Sequence, residues 1–278
     1  MKNLRAFHTL CSRKTHIQGN LSMQDFDILT MILSALYWKK NNGSIDLMAD
    51  KENIYYVKSN SLETLWDNIH EIPNYYVNRE MFWAGGKIFA LREQKTPIVM
   101  LDTDMIVWNN ISSKLTEKIV AIHNEPIIPD IYKGKEYFKM KKDYNFDNRL
   151  DWDVYPSNTA FLYIADEEFK NFYCNESIKF MQSSQDDSDT LSYMVFAEQR
   201  LLSMCAKICD INIGYMINYP EDLGNQDDFT HLWGYKKALA ENESERERFC
   251  KRCVKRILKE FPKESLLFIN EDFFYKYI

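Results

Sequence analysis

The first fifty residues contain no Gly-x-Gly-x-x-Gly turn and no glycine-rich phosphate loop, and glycine numbers only 8 in the 278-residue chain. That argues against a dinucleotide or P-loop site at the start of the chain. Basic residues are not in excess either. Lys and Arg total 35 against 41 Asp and Glu, and a net charge of -6 makes the whole molecule a poor electrostatic match for nucleic acid. No stretch approaches the roughly 18 consecutive apolar residues that span a bilayer. Met1-Lys2-Asn3-Leu4-Arg5 runs straight into Ala6-Phe7-His8-Thr9-Leu10, one charged start and a short apolar strand rather than a secretory leader. The six cysteines (Cys11, Cys174, Cys205, Cys209, Cys250 and Cys253) are scattered, which fits thiols in a reducing cytosol. Cys250-x-x-Cys253 has no second cysteine pair or Cys/His hook, so it reads as helix thiols rather than a zinc or redox site. What remains is a cytoplasmic chain whose 45% hydrophobic and 14% aromatic content can bury one large or two modest cores.

The stretch that organises the rest is Ile98-Val99-Met100-Leu101-Asp102-Thr103-Asp104-Met105-Ile106-Val107-Trp108. A short apolar run closed by polar residues reads as a strand buried on both faces. Asp102 and Asp104 then fall at its carboxyl end, where open α/β sheets place their ligand crevice. Two neighbouring carboxylates repel and are costly to desolvate, so they share a proton, pair with cations or hold a metal. Spacing of i and i+2 on an extended strand aims both to one side. Hard oxygen ligands suit Mg²⁺ or Mn²⁺.

Around this run the pattern alternates strands and helices. Residues 7–10 read as a strand, 25–40 as a helix with Ser22 as its cap, and 45–49 as a second strand, a βαβ unit. Residues 62–69 and 79–91 read as helices, the latter interrupted by Gly85-Gly86, which permits close packing or marks an irregular turn. Further strands are predicted at 119–122, 158–164 and 211–218. Helices are predicted at 167–181, capped by Asp166, at 195–208, and at 241–261. Residues 132–155 form a long polar loop whose Lys133, Lys135, Lys139, Lys141 and Lys142 read first as a solvated face.

Four motifs fall in one order: Leu101-Asp102-Thr103-Asp104; Ser157-Asn158-Thr159-Ala160-Phe161-Leu162-Tyr163-Ile164; Glu198-Gln199-Arg200-Leu201-Leu202; and His231-Leu232-Trp233-Gly234-Tyr235-Lys236-Lys237. Over roughly residues 4–237 the chain resembles GT-A-fold glycosyltransferases, most similarly family 8 and related bacterial saccharide transferases. The resemblance implies a Rossmann-like, mixed and mainly parallel sheet flanked by helices over residues 1–240, with residues 241–278 as a packed helical extension. It implies transfer of a hexose from a nucleotide-sugar, in particular a UDP-sugar, to a saccharide or glycan acceptor with retention, for polysaccharide assembly. It makes Asp102, Asp104 and His231 the ligands of Mn²⁺ or Mg²⁺. It brings Asp102, Thr103, Asp104, Lys87, Lys236 and Lys237 to the donor, and Asn158, Glu198 and Gln199 to the transferred sugar. His8 is a further donor-side candidate, although His8, like His123, reads first as structural. The chain departs from the family pattern at Thr159-Ala160, where Ala-Gly is usual, and at Arg200, where an aspartate is usual.

Two other readings compete. A haloacid-dehalogenase-type phosphohydrolase also carries Asp-x-Asp after an apolar strand, but here Met105-Ile106 replaces the usual Gly-Thr. A glycosyltransferase-like binding protein without catalysis is the other. The basic face of the last long helix, with Lys251, Arg252, Lys255, Arg256 and Lys259, suits either an anionic membrane surface or plain solvent, with its apolar stripe packed on the body.

Overall fold

The computed structural model of the chain describes residues 3–12, 23–73 and 76–278. In chain order its elements are β1 (Leu4–Leu10), α1 (Asp25–Asn41), β2 (Gly43–Ala49), α2 (Lys51–Ser59), β3 (Ile69–Glu71), α3 (Gly85–Glu93), β4 (Ile98–Leu101), β5 (Met105–Val107), β6 (Ile119–Ala121), β7 (Phe161–Ile164), α4 (Glu167–Ser183), α5 (Thr190–Val195), α6 (Leu201–Ile208), β8 (Ile213–Tyr215), β9 (Phe229–His231), α7 (Tyr235–Glu241), α8 (Glu243–Glu260), α9 (Pro262–Ser265) and α10 (Asp272–Tyr275).

Seven strands make one sheet in the order β3-β2-β1-β4-β7-β6-β8. β3, β2, β1 and β4 run parallel, β7 runs antiparallel between β4 and β6, and β8 is parallel to β6. The chain is therefore mixed α/β with a mainly parallel sheet flanked by helices, as its alternating pattern predicts. β5 and β9 form a separate antiparallel ribbon.

β1, α1 and β2 are the expected βαβ unit. Gly43 opens β2 at φ +143°, and a Cβ there would stand 2.2 Å from the Leu4 carbonyl oxygen, so β1 and β2 close only around a glycine. α1 is buried continuously from Ile28 to Trp38, because β2 and β5 cover one side and α8 and α10 the other. A helix enclosed in this way need not be amphipathic. Its N-cap residue is Gln24; Ser22 lies outside the described residues.

Several elements differ from the sequence pattern; the strand expected at 158–164 begins at Phe161, and the helix expected at 195–208 is regular only from Leu201. The helix expected at 62–69 is a single 3₁₀ turn, Glu63–Leu65, followed by β3. β3 pairs Ile69 with Leu47 and Glu71 with Ala49, so ladder bonds outweigh the local helical period. The helix expected across 79–91 starts only at Gly85. A Cβ at Gly85 would lie 3.0 Å from Met181 Sδ, so the glycine marks where α3 packs close on α4. The last helical pattern is divided at Asn242, whose side chain accepts a hydrogen bond from Glu245 N at 3.0 Å and starts α8 afresh.

α8 lays Cys250, Cys253, Val254 and Ile257 into the core around α1. The chain end follows it, with Phe268, Phe273 and Phe274 buried. The six cysteines form no disulfide. Among the described residues, no helix is long and apolar enough to cross a membrane.

Candidate functional site

β4 has all four residues buried. Ile98 and Met100 enter the core with α3 and α4, while Val99 and Leu101 enter the core with α1. This is the alternation of a strand covered on both faces. At its carboxyl end Asp102 N still donates to Ala160 O at 2.8 Å, and Met105 N then turns back to Asp102 O at 3.0 Å. The two acids thus sit together on a tight turn, not on one side of an extended strand as their spacing predicts. The turn feeds β5, whose pairing with β9 sets Met105 opposite His231. Leu232 N donates to Asp104 O at 3.1 Å and fixes the far-downstream imidazole beside the acids.

One ligand atom each of Asp102, Asp104 and His231 lies within 4.8 Å of the others. Two lysines flank the group. Lys87 Nζ lies 2.5 Å from Asp102 Oδ1 and 2.9 Å from Glu198 Oε1. Lys236 Nζ lies 3.0 Å from Asp104 Oδ2 and 3.2 Å from Asp27 Oδ1. Four carboxylates therefore face two ammonium groups, a deficit of two positive charges.

The electrostatics express that deficit. Burial pushes the Asp102 carboxyl up to about 7; Lys87 opposes the rise, while Asp104 and Glu198 add to it. Burial likewise raises Asp27, with Lys236 opposing. Burial also works against the charges of Asp104 and Lys87, but their partners win. Asp104 is held below the usual carboxylate range by His231 and Lys236, and Lys87 above the usual lysine range by Asp102 and Glu198. Burial lowers His231 to about 4, against the pull of Asp104, so its imidazole is neutral at pH 7 and in the state that ligates metals. His231 Nδ1 is buried and makes no hydrogen bond among the described residues, and Nε2 stands 3.8 Å from Asp104 Oδ1, too far for one. Two carboxylates and a neutral imidazole, a two-charge deficit and an orphaned ring nitrogen together fit a hard divalent cation.

These residues line a cavity of about 560 Å³. Its floor at the carboxyl end of β1 includes Thr9, Leu10 and Cys11, and its opposite wall comes from the chain around Glu198. There α5 passes into α6 through a π-helical turn, Phe196–Arg200. Such turns break the regular ladder and are frequent at functional sites. Glu198 is buried, and Thr159 Oγ1 donates to its Oε1 at 2.9 Å. The threonine that departs from the family pattern therefore holds Glu198 in place. Asn158 is held at both ends of its amide, donating to Glu125 Oε1 at 3.1 Å and accepting from Ala160 N at 3.1 Å. Gln199 Oε1 accepts from Tyr132 O–H at 2.7 Å.

Asp102, Thr103, Asp104, Lys87, Lys236, His231, Asn158, Glu198 and Gln199 all line this one cavity. His8 and Lys237 do not. His8 is fully buried, with Trp66 Nε1 donating to its Nδ1 at 3.2 Å and its Nε2 lying 3.0 Å from Ser34 Oγ, which in turn donates to Met105 O at 2.5 Å. It braces β5 from behind. Lys237, one helical position past Lys236, turns to solvent beside Glu241. Arg200 points away as well: its guanidinium donates to the carbonyls of Lys133 and Trp152 and lies over the Trp152 ring, tying down the 132–155 loop. His123 is buried and its Nδ1 lies 3.0 Å from Asn124 O. The sequence reading missed Asp27 and Tyr132. Asp27 is one charged residue of a helix with no motif, and Tyr132 opens a loop without periodicity, so neither leaves a sequence signal.

A family model described as "Family of unknown function (DUF6734)" matches residues 1–268. No curated protein matches the chain. Among solved structures, 4-diphosphocytidyl-2C-methyl-D-erythritol synthase from Anaerococcus prevotii is similar with a TM-score of 0.38 and 15% identity, covering 78% of this chain and 89% of its own. Mouse xyloside xylosyltransferase 1 is similar with a TM-score of 0.36 and 11% identity, covering 72% of this chain and 83% of its own.

Proposed function

The chain belongs to that family of unknown function, and for it we propose metal-dependent transfer of a hexosyl group from a nucleotide-sugar, in particular a UDP-sugar, to a saccharide acceptor. The observation that carries the reading is the convergence of Asp102, Asp104 and His231 within 4.8 Å at the end of a central strand. Mn²⁺ or Mg²⁺ held by these three would supply Lewis-acid stabilisation of the charge that grows on a departing diphosphate. Lys236 adds a fixed positive charge beside Asp104 for the same oxygens.

In this reading the bond from the anomeric carbon to the donor phosphate breaks and a bond to the acceptor oxygen forms. The leaving diphosphate takes the electron pair, and one of its oxygens takes the acceptor proton. The face of attack is that of departure, with retention. Asn158 and Glu198 orient sugar hydroxyls, and Gln199 presents its amide beside the anomeric carbon. Thr9, Leu10 and Asn53 also line the cavity.

The test is a thermal-shift screen of nucleotide-sugars with and without Mn²⁺, followed by donor-hydrolysis assays. A true donor at about 100 times its Kd raises stability by about 2.7 kcal/mol, and only with metal present. Asp104→Ala should lose this response and donor turnover while keeping its fold. Unchanged donor hydrolysis in that variant contradicts the reading. Turnover of a generic phosphate ester would favour the phosphohydrolase alternative, and donor binding without turnover on any acceptor would favour a binding protein.

A further inference from the structure

A separate cavity of about 400 Å³ opens on the opposite face of the β5–β9 ribbon. Alternate residues from β9 onward divide between the two: His231 and Trp233 line the first cavity, Thr230 and Leu232 the second. The floor of the second is apolar, with Ile106, Leu232 and Phe249. Its rim is basic on balance, with Arg252, Lys255, Arg256 and Lys259 of α8, all exposed, and the half-buried Glu260 as the one acid among them.

On a helix these four are spaced i, i+3, i+4 and i+7, so each has a like-charged neighbour on its own face. Such pairs destabilise a helix. The structure relieves two of them, Arg252 facing Tyr235 and Glu245 and Arg256 facing Tyr37 and Glu260. Arg256 lies 4.6 Å from the centre of the Trp108 ring. The side-chain ion pairs of α8 are Lys251 with Glu247, Arg248 with Glu245, and Lys40 with Glu260; among the described residues none involves Lys255 or Lys259. The buried stripe of Cys250, Cys253, Val254 and Ile257 packs around α1, Cys253 also reaching the cavity, and none of the four basic side chains belongs to the stripe. Just past α8 the chain exposes Leu266 and Leu267, at 68% and 44%.

We propose that this face docks the protein on an anionic phospholipid membrane surface, with phosphate headgroups on the α8 rim. A row of exposed basic side chains along one helix suits a flat anionic sheet, and the exposed Leu266 and Leu267 just past the helix suit its interface more than they suit a soluble polyanion. The proposal is independent of the reaction at the first cavity.

The experiment is co-sedimentation of the full chain with phosphatidylcholine vesicles, with and without phosphatidylglycerol. Binding is expected only with phosphatidylglycerol, weakening as salt rises. Lys255→Gln with Lys259→Gln should bind about 30-fold more weakly, at about 1 kcal/mol per basic residue near such a surface, with a melting temperature no lower than the parent's. Lys255→Arg with Lys259→Arg should retain binding. Equal binding to neutral vesicles, or full binding by the glutamine pair, overturns the proposal. Displacement by inorganic phosphate at matched ionic strength also overturns it, marking a free-anion site instead.

Discussion

Lys87 Nζ stands 2.5 Å from Asp102 Oδ1, and the pair joins α3 to the end of β4. The same ammonium reaches Glu198 on the π-helical turn at 2.9 Å. One half-buried cation therefore ties together three separate segments of the cavity wall. Lys87→Met would leave half-buried Asp102 and buried Glu198 without their shared cation. Losing hydrogen bonds to charged groups costs about 1.5–3 kcal/mol. The metal-free variant should show that loss in urea unfolding, and Mn²⁺ should return part of it. A variant as stable as the parent would show that Lys87 is not the cation holding these acids.

Tyr132 fixes the amide of Gln199 by donating to its oxygen, which leaves the NH₂ group as the donor. Tyr132→Phe removes one hydrogen bond worth about 0.5–1.5 kcal/mol. Donor turnover should fall by up to about tenfold, with the fall in kcat and not in metal affinity. Equal losses in both would mean that the substitution disturbs the whole cavity rather than the Gln199 amide.

Stability should depend on pH through His8. Burial lowers its pKa to about 3 against 6.5 for a free histidine, although Asp104 pulls the other way. Between these values the unfolded chain takes up a proton at His8 and the folded chain does not. The contribution of the neutral ring is therefore complete above pH 6.5 and is lost as pH falls toward 3, by about 1.4 kcal/mol per pH unit for one proton. Urea unfolding at pH 7.5 and 4.5 should show a smaller acid loss for His8→Gln than for the parent. An equal loss would assign the acid sensitivity to other groups.

The sheet, the βαβ start and the cavity-end position of the acid pair were legible because each is written locally. A period of 3.6 over 25–40, a closed apolar run at 98–101 and the polar stop at Asp102 need no tertiary knowledge. What was not legible depends on contacts between distant segments. The 62–69 stretch has a helical rhythm, yet β3 forms because β2 offers it a ladder. Lys236 and Lys237 are equal in sequence, and only the helix turn at the site gives the first to Asp104 and the second to solvent. His8 was a donor-side candidate that read first as structural, and its ring does turn to Ser34 and Trp66. Arg200 replaces an expected acid, and its partners are two backbone carbonyls in a loop with no readable pattern.

The Arg200 clamp carries its own expectation. Arg200→Leu leaves those carbonyls without their donor and loosens the 132–155 loop. It should cost about 1–3 kcal/mol and raise proteolytic cutting in that loop. Unchanged cutting would mean that the aromatic packing of Phe138 and Trp152 on Phe196 holds the loop by itself.

The most direct test is calorimetric titration of the purified chain with Mn²⁺. The parent should bind one ion, and Asp104→Asn and His231→Ala should each weaken binding by more than about 100-fold, beyond what the loss of a merely supporting partner costs. Undiminished binding in both variants, or no binding by the parent even with a nucleoside diphosphate present, would contradict the assignment of these three side chains as a metal centre.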